Sequence, residues 1–221
     1  MTTKKLCIFD FDGTIADSMW AWDELGSNTL NENNIKVFDD YDSVIRTMSV
    51  PNFSKYLSNR YSELGTAESL MATWHEKMVF NYLNKVPLKK GIIELLTELK
   101  NKGYILYLAS ATHYNVLIKA VEHFNLNKFF DFIVTEEIVG ISKRDPKIYE
   151  LCIERAGVTK QDTVVFEDAD HAVFTAKNIG CRVCAVKDYS MRKSEQKIKD
   201  VADLYIEDFV NQKQIINFIE Q

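Results

Sequence analysis

The sequence predicts an α/β protein: a parallel sheet flanked by helices, interrupted near its start by an inserted α-helical block. Three observations carry this. Short apolar runs occur at residues 6–11 and again, repeatedly, from residue 104 onward. Amphipathic stretches alternate with them. Between 16 and 86 the alternation stops and only helical patterns remain. Strands covered on both faces read as near-continuous apolar runs, and strand–helix alternation is the pattern of an open parallel sheet.

The predicted strands, in order, are LCIFDF (6–11), YILYLAS (104–110), FDFIVT (130–135), TVVFED (163–168), RVCAV (182–186) and ADLYI (202–206). The predicted helices lie between them. GIIELLTELKNKG (91–103) puts Ile92, Leu95, Leu96 and Leu99 on one stripe and ends at a glycine suited to a C-cap. Residues 113–124 place Val116, Leu117, Ala120, Val121 and Phe124 on one face. Pro146 can open the helix that ends at Gly157, because a proline's missing N–H is not needed in a first turn. Residues 169–180 form another helix, closed by Gly180.

The insertion contains four helical stretches: 17–33, 41–48, 52–61 and 66–86. Ile15-Ala16-Asp17 is the outgoing hinge, and 84–91, with Pro87 and Gly91, the return. The reading is thus a Rossmann-like core from 1–15 and 87–221, with a helical domain at 16–86.

Composition excludes several classes of protein. The net charge of −5 opposes a nucleic-acid partner, which selects for positive charge. With 46% hydrophobic residues the chain has enough apolar surface to build a core. No run approaches the ~18 apolar residues of a membrane span, and Asp10 and Asp12 break the apolar start of the chain, unlike a signal peptide. No membrane partner is therefore expected. Cys181-x-x-Cys184 lies in strand sequence with no second ligand pair, so it and Cys7 and Cys152 read as buried reduced thiols, as in a cytoplasmic protein.

The chemistry-bearing signal begins with Asp10-Phe11-Asp12-Gly13-Thr14, just past the first strand. In an extended segment, residues two apart share a face, so the two carboxylates would lie together. Gly13 allows a sharp turn. Open α/β sheets bind ligands at the carboxyl ends of their strands. Carboxylates this close repel unless a cation relieves them. Taken alone, the pair reads equally well as two solvated aspartates in a turn. Glu167-Asp168 ends another apolar strand and adds oxygens at the same edge, the donor type Mg2+ takes. Ser110 ends LYLAS before a helix, where a hydroxyl and free N–H groups make an anion site. Lys143, in a turn before a helix, can neutralise a phosphoryl oxygen.

At these residues the chain resembles the haloacid dehalogenase-like superfamily. DFDGT at 10–14, Ser110, Lys143 with Pro146, and Glu167-Asp168 fall in the family's order, and the insertion sits where subfamily I members carry a helical cap. The resemblance implies that Asp10 is the nucleophile and takes the phosphoryl group as an aspartyl-phosphate. It makes Asp12 the acid and then the base. Asp10, the Asp12 carbonyl and Asp168 would hold Mg2+, with Glu167 a ligand or outer partner. Ser110 and the Ala111 N–H would hold phosphoryl oxygens, and Lys143 would balance charge. Gly13, Thr14 and Arg46 complete the expected substrate-binding set. Two departures stand out. The family's Lys-Pro-x-Pro is Lys143-Arg144-Asp145-Pro146 here, which leaves Lys147 as a rival lysine, although spacing to Pro146, Ile148 and Tyr149 favours Lys143. Ala169 replaces a frequent serine, followed by Asp170, which is either an outer acid or a helix-start charge.

Weaker candidates have plain structural readings. Trp20, Trp22 and Trp74 read chiefly as the insertion's own core, with Met19 and Trp20 as pocket candidates. Arg46 could grip a phosphate or carboxylate, or stand on the surface. His113 could face the site or simply start a helix. Residues 191–200 read as a solvated helical or loop face and not as a nucleic-acid patch.

The resemblance therefore implies a Mg2+-dependent phosphatase acting on a small phosphorylated metabolite, a sugar phosphate or phosphoglycolate-like ester, as a monomer or weak homodimer. The alternatives are a phosphomutase of the β-phosphoglucomutase type and a non-catalytic phosphate-binding regulator. A dehalogenase needs neither Asp12 nor the Glu167-Asp168 pair. A receiver domain is half this length, and its accepting aspartate comes later in the chain.

Overall fold

The computed structural model describes residues 5–45 and 48–221. The predicted alternation is realised as a six-stranded, all-parallel sheet. Its strands are β1 (Leu6–Phe9), β2 (Ile105–Ser110), β3 (Phe132–Thr135), β4 (Thr163–Glu167), β5 (Arg182–Val186) and β6 (Leu204–Ile206), in the order β3-β2-β1-β4-β5-β6. Strand order reverses on the two sides of β1, which makes the β1/β4 edge the topological switch point.

The helices are α1 (Met19–Glu32), α2 (Tyr41–Ile45), α3 (Val50–Arg60), α4 (Ala67–Asn84), α5 (Ile92–Asn101), α6 (Tyr114–His123), α7 (Glu136–Val139), α8 (Lys147–Ala156), α9 (Asp170–Asn178), α10 (Glu195–Val201) and α11 (Gln212–Glu220). Side chains alternate across β1. Leu6 and Ile8 join a core with Ile148, Tyr149, Cys152, Val173 and Ile198 from α8, α9 and α10. On the opposite face Phe9 stacks on Phe166 with ring centroids 4.3 Å apart. α7 and α11 are additional to the predicted elements. The run 191–200, read as a solvated helix or loop, is in part helix α10, which is not wholly solvated because it buries Ile198. Among the described residues, no helix is long and apolar enough to cross a membrane.

The chain divides into two compact units, Met1–Met19 with Pro87–Gln221, and Trp20–Val86. Residues 16–19 thus belong with the sheet. The reason is local: Ala16 bridges to both Asp12 and Leu88, the Asp17 N–H donates to the Pro87 carbonyl at 2.9 Å, and the Lys89 N–H donates to the Ile15 carbonyl at 2.8 Å. The outgoing and returning segments pair with each other beside the sheet.

All the regular elements among the described residues of the second unit are helices. Thr66 caps α4 by accepting the Ser69 N–H, and Leu70, Trp74, Met78 and Tyr82 form its buried stripe. Trp74 stacks near Phe53 and donates from Nε1 to Thr29 at 2.8 Å. Trp22 donates to the Tyr82 hydroxyl. Two of the three tryptophans are thus tied into the packing of the unit, whereas Trp20 is exposed.

Candidate active site

The ladder brings the motif residues to one level. Phe9 pairs with Leu108 on one side and Phe166 on the other, so Asp10 emerges beside Ala109-Ser110 and Glu167 at the carboxyl ends of three neighbouring strands. Each apolar strand is pinned by its ladder, so the first polar residue past the strand is aimed at the sheet edge.

Asp10, Glu167 and Asp168 are all buried, and each offers one carboxylate oxygen within 4.8 Å of the others. Lys143, also buried, donates from Nζ to Asp10 and, at 2.7 Å, to Glu167. Burial pushes the Asp10 carboxyl up to about 8, with Glu167 and Asp12 adding to the rise and Lys143 opposing it. Burial raises Asp168 well above the usual carboxylate range, helped by Glu167 and Asp10. Burial works against the Lys143 ammonium, yet Asp10 and Glu167 together hold its pKa well above the ordinary value. Three carboxylates share one ammonium in a dry setting, so their ionised forms are costly unless a further cation joins the cluster. All its donors are hard oxygens, and among the described residues no histidine or cysteine joins them. That donor set fits a divalent, oxygen-seeking cation.

The remaining predicted residues fall into distinct places. Glu167 Oε1 is engaged by Lys143, and its Oε2 accepts the N–H groups of Asp168 and Ala169 at 2.8 and 3.0 Å. Both oxygens thus hold neighbouring groups, while one of them also lies among the ligand atoms of the acidic cluster. Asp12 points its carboxylate elsewhere: Ser18 Oγ donates to Oδ1 at 2.5 Å and Thr112 Oγ1 to Oδ2 at 2.6 Å. Nothing in the local sequence marks Ser18 or Thr112, although Thr112 lies two residues past Ser110 and Ser18 two residues before the helical unit begins at Trp20. Ser110 Oγ accepts the Thr112 N–H at 3.0 Å, and Ala111 is exposed beside it. Thr14 donates to Asp168 Oδ1 at 3.3 Å. Gly13 packs so tightly on Asp168 that an added Cβ would lie 2.3 Å from Oδ2.

The two candidate lysines differ in position. Lys143 is inside the cluster, whereas Lys147 is exposed at the start of α8. Asp170 is the first residue of α9 and accepts the His171 N–H with its side chain, apart from the acidic cluster. His113 starts α6, with Nε2 2.7 Å from Glu137. Arg46 lies outside the described residues.

Fold and site together define the class: an α/β enzyme with buried carboxylates, a lysine and a serine at the switch point of a parallel sheet. Residues 7–186 match the family of haloacid dehalogenase-like hydrolases, and the chain belongs to that family. A phosphorylated carbohydrates phosphatase of Thermotoga maritima is 30% identical over 177 residues, 78% of this chain and 80% of that protein. A glyceraldehyde 3-phosphate phosphatase of Pyrococcus furiosus is 23% identical over 93% of this chain and 90% of its own. Among solved structures, CbbY from Rhodobacter sphaeroides in complex with phosphate aligns with a TM-score of 0.78 at 21% identity, covering 95% and 96% of the two chains. With such relatives the chain is a hydrolase of the phosphatase class.

Proposed function

We propose that this chain is a Mg2+-dependent phosphatase that hydrolyses a small phosphorylated metabolite, a sugar phosphate or phosphoglycolate-like ester, through an aspartyl-phosphate. The observation that carries the reading is the buried Asp10–Asp168–Glu167 cluster with Lys143 set into it. Asp10 and Asp168, with the Asp12 carbonyl, would hold Mg2+. The bound cation would supply the charge that lets an anionic nucleophile meet an anionic phosphate.

The chain's own groups do the rest. Asp10 attacks phosphorus, the P–O bond to the leaving group breaks, and the phosphoryl group is carried as an acyl phosphate. Asp12 gives the leaving oxygen its proton and later takes one from the attacking water. Its seat between Ser18 and Thr112 aims that proton. Lys143 offsets charge on Asp10 and on the phosphoryl oxygens, and Glu167 keeps the ammonium in place. Ser110 and the Ala111 N–H hold the transferring oxygens. The Trp20–Val86 unit is the cap that selects the substrate. The names of the relatives, which act on phosphorylated carbohydrates and on glyceraldehyde 3-phosphate, support the choice of substrate class. Four free, buried cysteines suit a cytoplasmic setting, and the acidic balance speaks against a nucleic-acid partner; the reading takes the chain as a monomer or weak homodimer with no membrane partner.

The test is phosphate release from an aryl phosphate with and without Mg2+, followed by a panel of phosphorylated metabolites. Mg2+-dependent release, lost in Asp10→Asn, is expected. Full activity in Asp10→Asn, or release indifferent to Mg2+, would sink the mechanism. Isomerised product without net phosphate release would assign a phosphomutase instead.

A further inference from the structure

Two adjacent glutamates on α7 reach two different loops of the site. Glu136 Oε1 accepts the Lys143 backbone N–H at 2.6 Å. Glu137 lies with Oε1 2.7 Å from His113 Nε2, and its Oε2 accepts the Tyr114 N–H at 2.9 Å. Lys143 carries the ammonium of the acidic cluster. His113 and Tyr114 end the loop that holds Ser110 and Thr112 and begin α6. α7 is itself seated on the sheet, because Thr135 pairs with Ser110 in the ladder and its hydroxyl accepts the Ile138 N–H. Gly140 and Ile141 N–H groups return to the Glu136 carbonyl, closing the turn that leads to Lys143.

One short helix therefore grips both phosphate-facing loops through carboxylate–N–H bonds, the stronger kind of hydrogen bond. Neither glutamate belongs to the acidic cluster. The reach of the Lys143 side chain starts from its backbone, and small displacements of a charged catalytic group cost large factors in rate.

We propose that Glu136 and Glu137 are positioning residues for the phosphoryl site: Glu136 sets Lys143, Glu137 sets the serine loop, and α7 registers the two loops against each other. The proposal rests on the phosphatase reading above.

The test is a pair of mutant cycles read by calorimetric binding of inorganic phosphate with Mg2+ present, and by kcat and KM on p-nitrophenyl phosphate. Glu136→Ala should weaken phosphate binding and lower kcat, each by about tenfold, while Glu136→Gln keeps an acceptor oxygen and stays near wild type. In a Lys143→Ala chain, Glu136→Ala should add less than about twofold, because the group it positions is gone. Glu137→Ala should likewise be masked in Ser110→Ala. Additive losses in both backgrounds overturn the proposal, because a residue that merely supports the fold would cost the same in each. So does a loss in Glu136→Gln as large as in Glu136→Ala, which keeps the proposal testable where the alanine variant unfolds. A wild-type chain that binds phosphate without turnover counts against the phosphatase reading and leaves the binding cycles to decide the positioning role. A wild-type chain that binds no phosphate overturns both.

Discussion

Gly13 is where backbone conformation and site chemistry meet. Its φ of +86° is left-handed backbone, and its missing Cβ is the space that Asp168 occupies. Gly13→Ala should cost about 1–3 kcal/mol in strain and push the Asp168 carboxylate aside. Urea denaturation and calorimetric Mg2+ titration check this, and an unchanged Mg2+ affinity would contradict it. Asp12 depends on two hydroxyls that act on its two oxygens separately. Ser18→Ala and Thr112→Val should each lower kcat about tenfold with a smaller effect on KM, in line with a lost charge-assisted bond. The thiols show a different residue-scale effect. Burial pushes Cys7 and Cys152 up to about 12 and Cys181 to about 11, from an ordinary 9.0. These thiols keep their protons when folded and lose them near 9 when unfolded. Stability should then fall as pH rises from about 9 toward 12, and iodoacetamide at pH 8 should label the native chain far more slowly than the unfolded one.

At the scale of the element, α4 shows how a helix is held by more than its own propensity. Its cap at Thr66 and its stripe at Leu70, Trp74, Met78 and Tyr82 are spaced for one buried face. Trp74 is almost wholly buried, against Phe53 and Thr29. Trp74→Ala should cost about 3–5 kcal/mol by leaving a cavity, and Trp74→Phe much less, since most of the ring contact survives. Denaturant unfolding of the two variants checks the order. α7 is the opposite case. Four residues cannot sustain a helix alone, and its place comes from Thr135 beside Ser110 and from the loops that Glu136 and Glu137 hold.

For the whole molecule, the decisive feature is that the helical unit leaves and returns to the sheet unit at one point. Ala16 and Leu88 bridge, and Lys89 reaches Asp188 at 2.9 Å and Asp17 at 3.6 Å. A chain in which 20–86 is replaced by a short glycine linker should therefore retain a cooperative fold with the same sheet. Far-UV circular dichroism and a single unfolding transition check this, and loss of cooperativity would contradict it. In the full chain, Mg2+ at ~100 times its dissociation constant should stabilise the folded state by about 2.7 kcal/mol, and Asp168→Asn should abolish that gain.

The strands were legible because each is a short apolar run between turn residues, and a buried parallel strand has few other ways to be written. All six predicted runs contain an observed strand. The four motifs were legible because each stands at a strand end or a turn, where a carboxylate, hydroxyl or lysine is conspicuous. α7 and α11 escaped because their stability comes from the surfaces they cover, and 191–200 read as helix or loop without showing that Ile198 is buried. Ser18 and Thr112 escaped because a hydroxyl in a loop looks the same whether or not a carboxylate awaits it. Sequence alone determined the alternation, the insertion and the identity of the charged groups, since these follow from local pattern. Only the tertiary structure decided that Lys143 and not Lys147 enters the cluster, that Glu167 backs the lysine, and that Asp12 turns to two hydroxyls. Those outcomes depend on side chains far apart in the chain, Lys143 and Asp10 being 133 positions apart, meeting in a dry space where partners must be found for every charge.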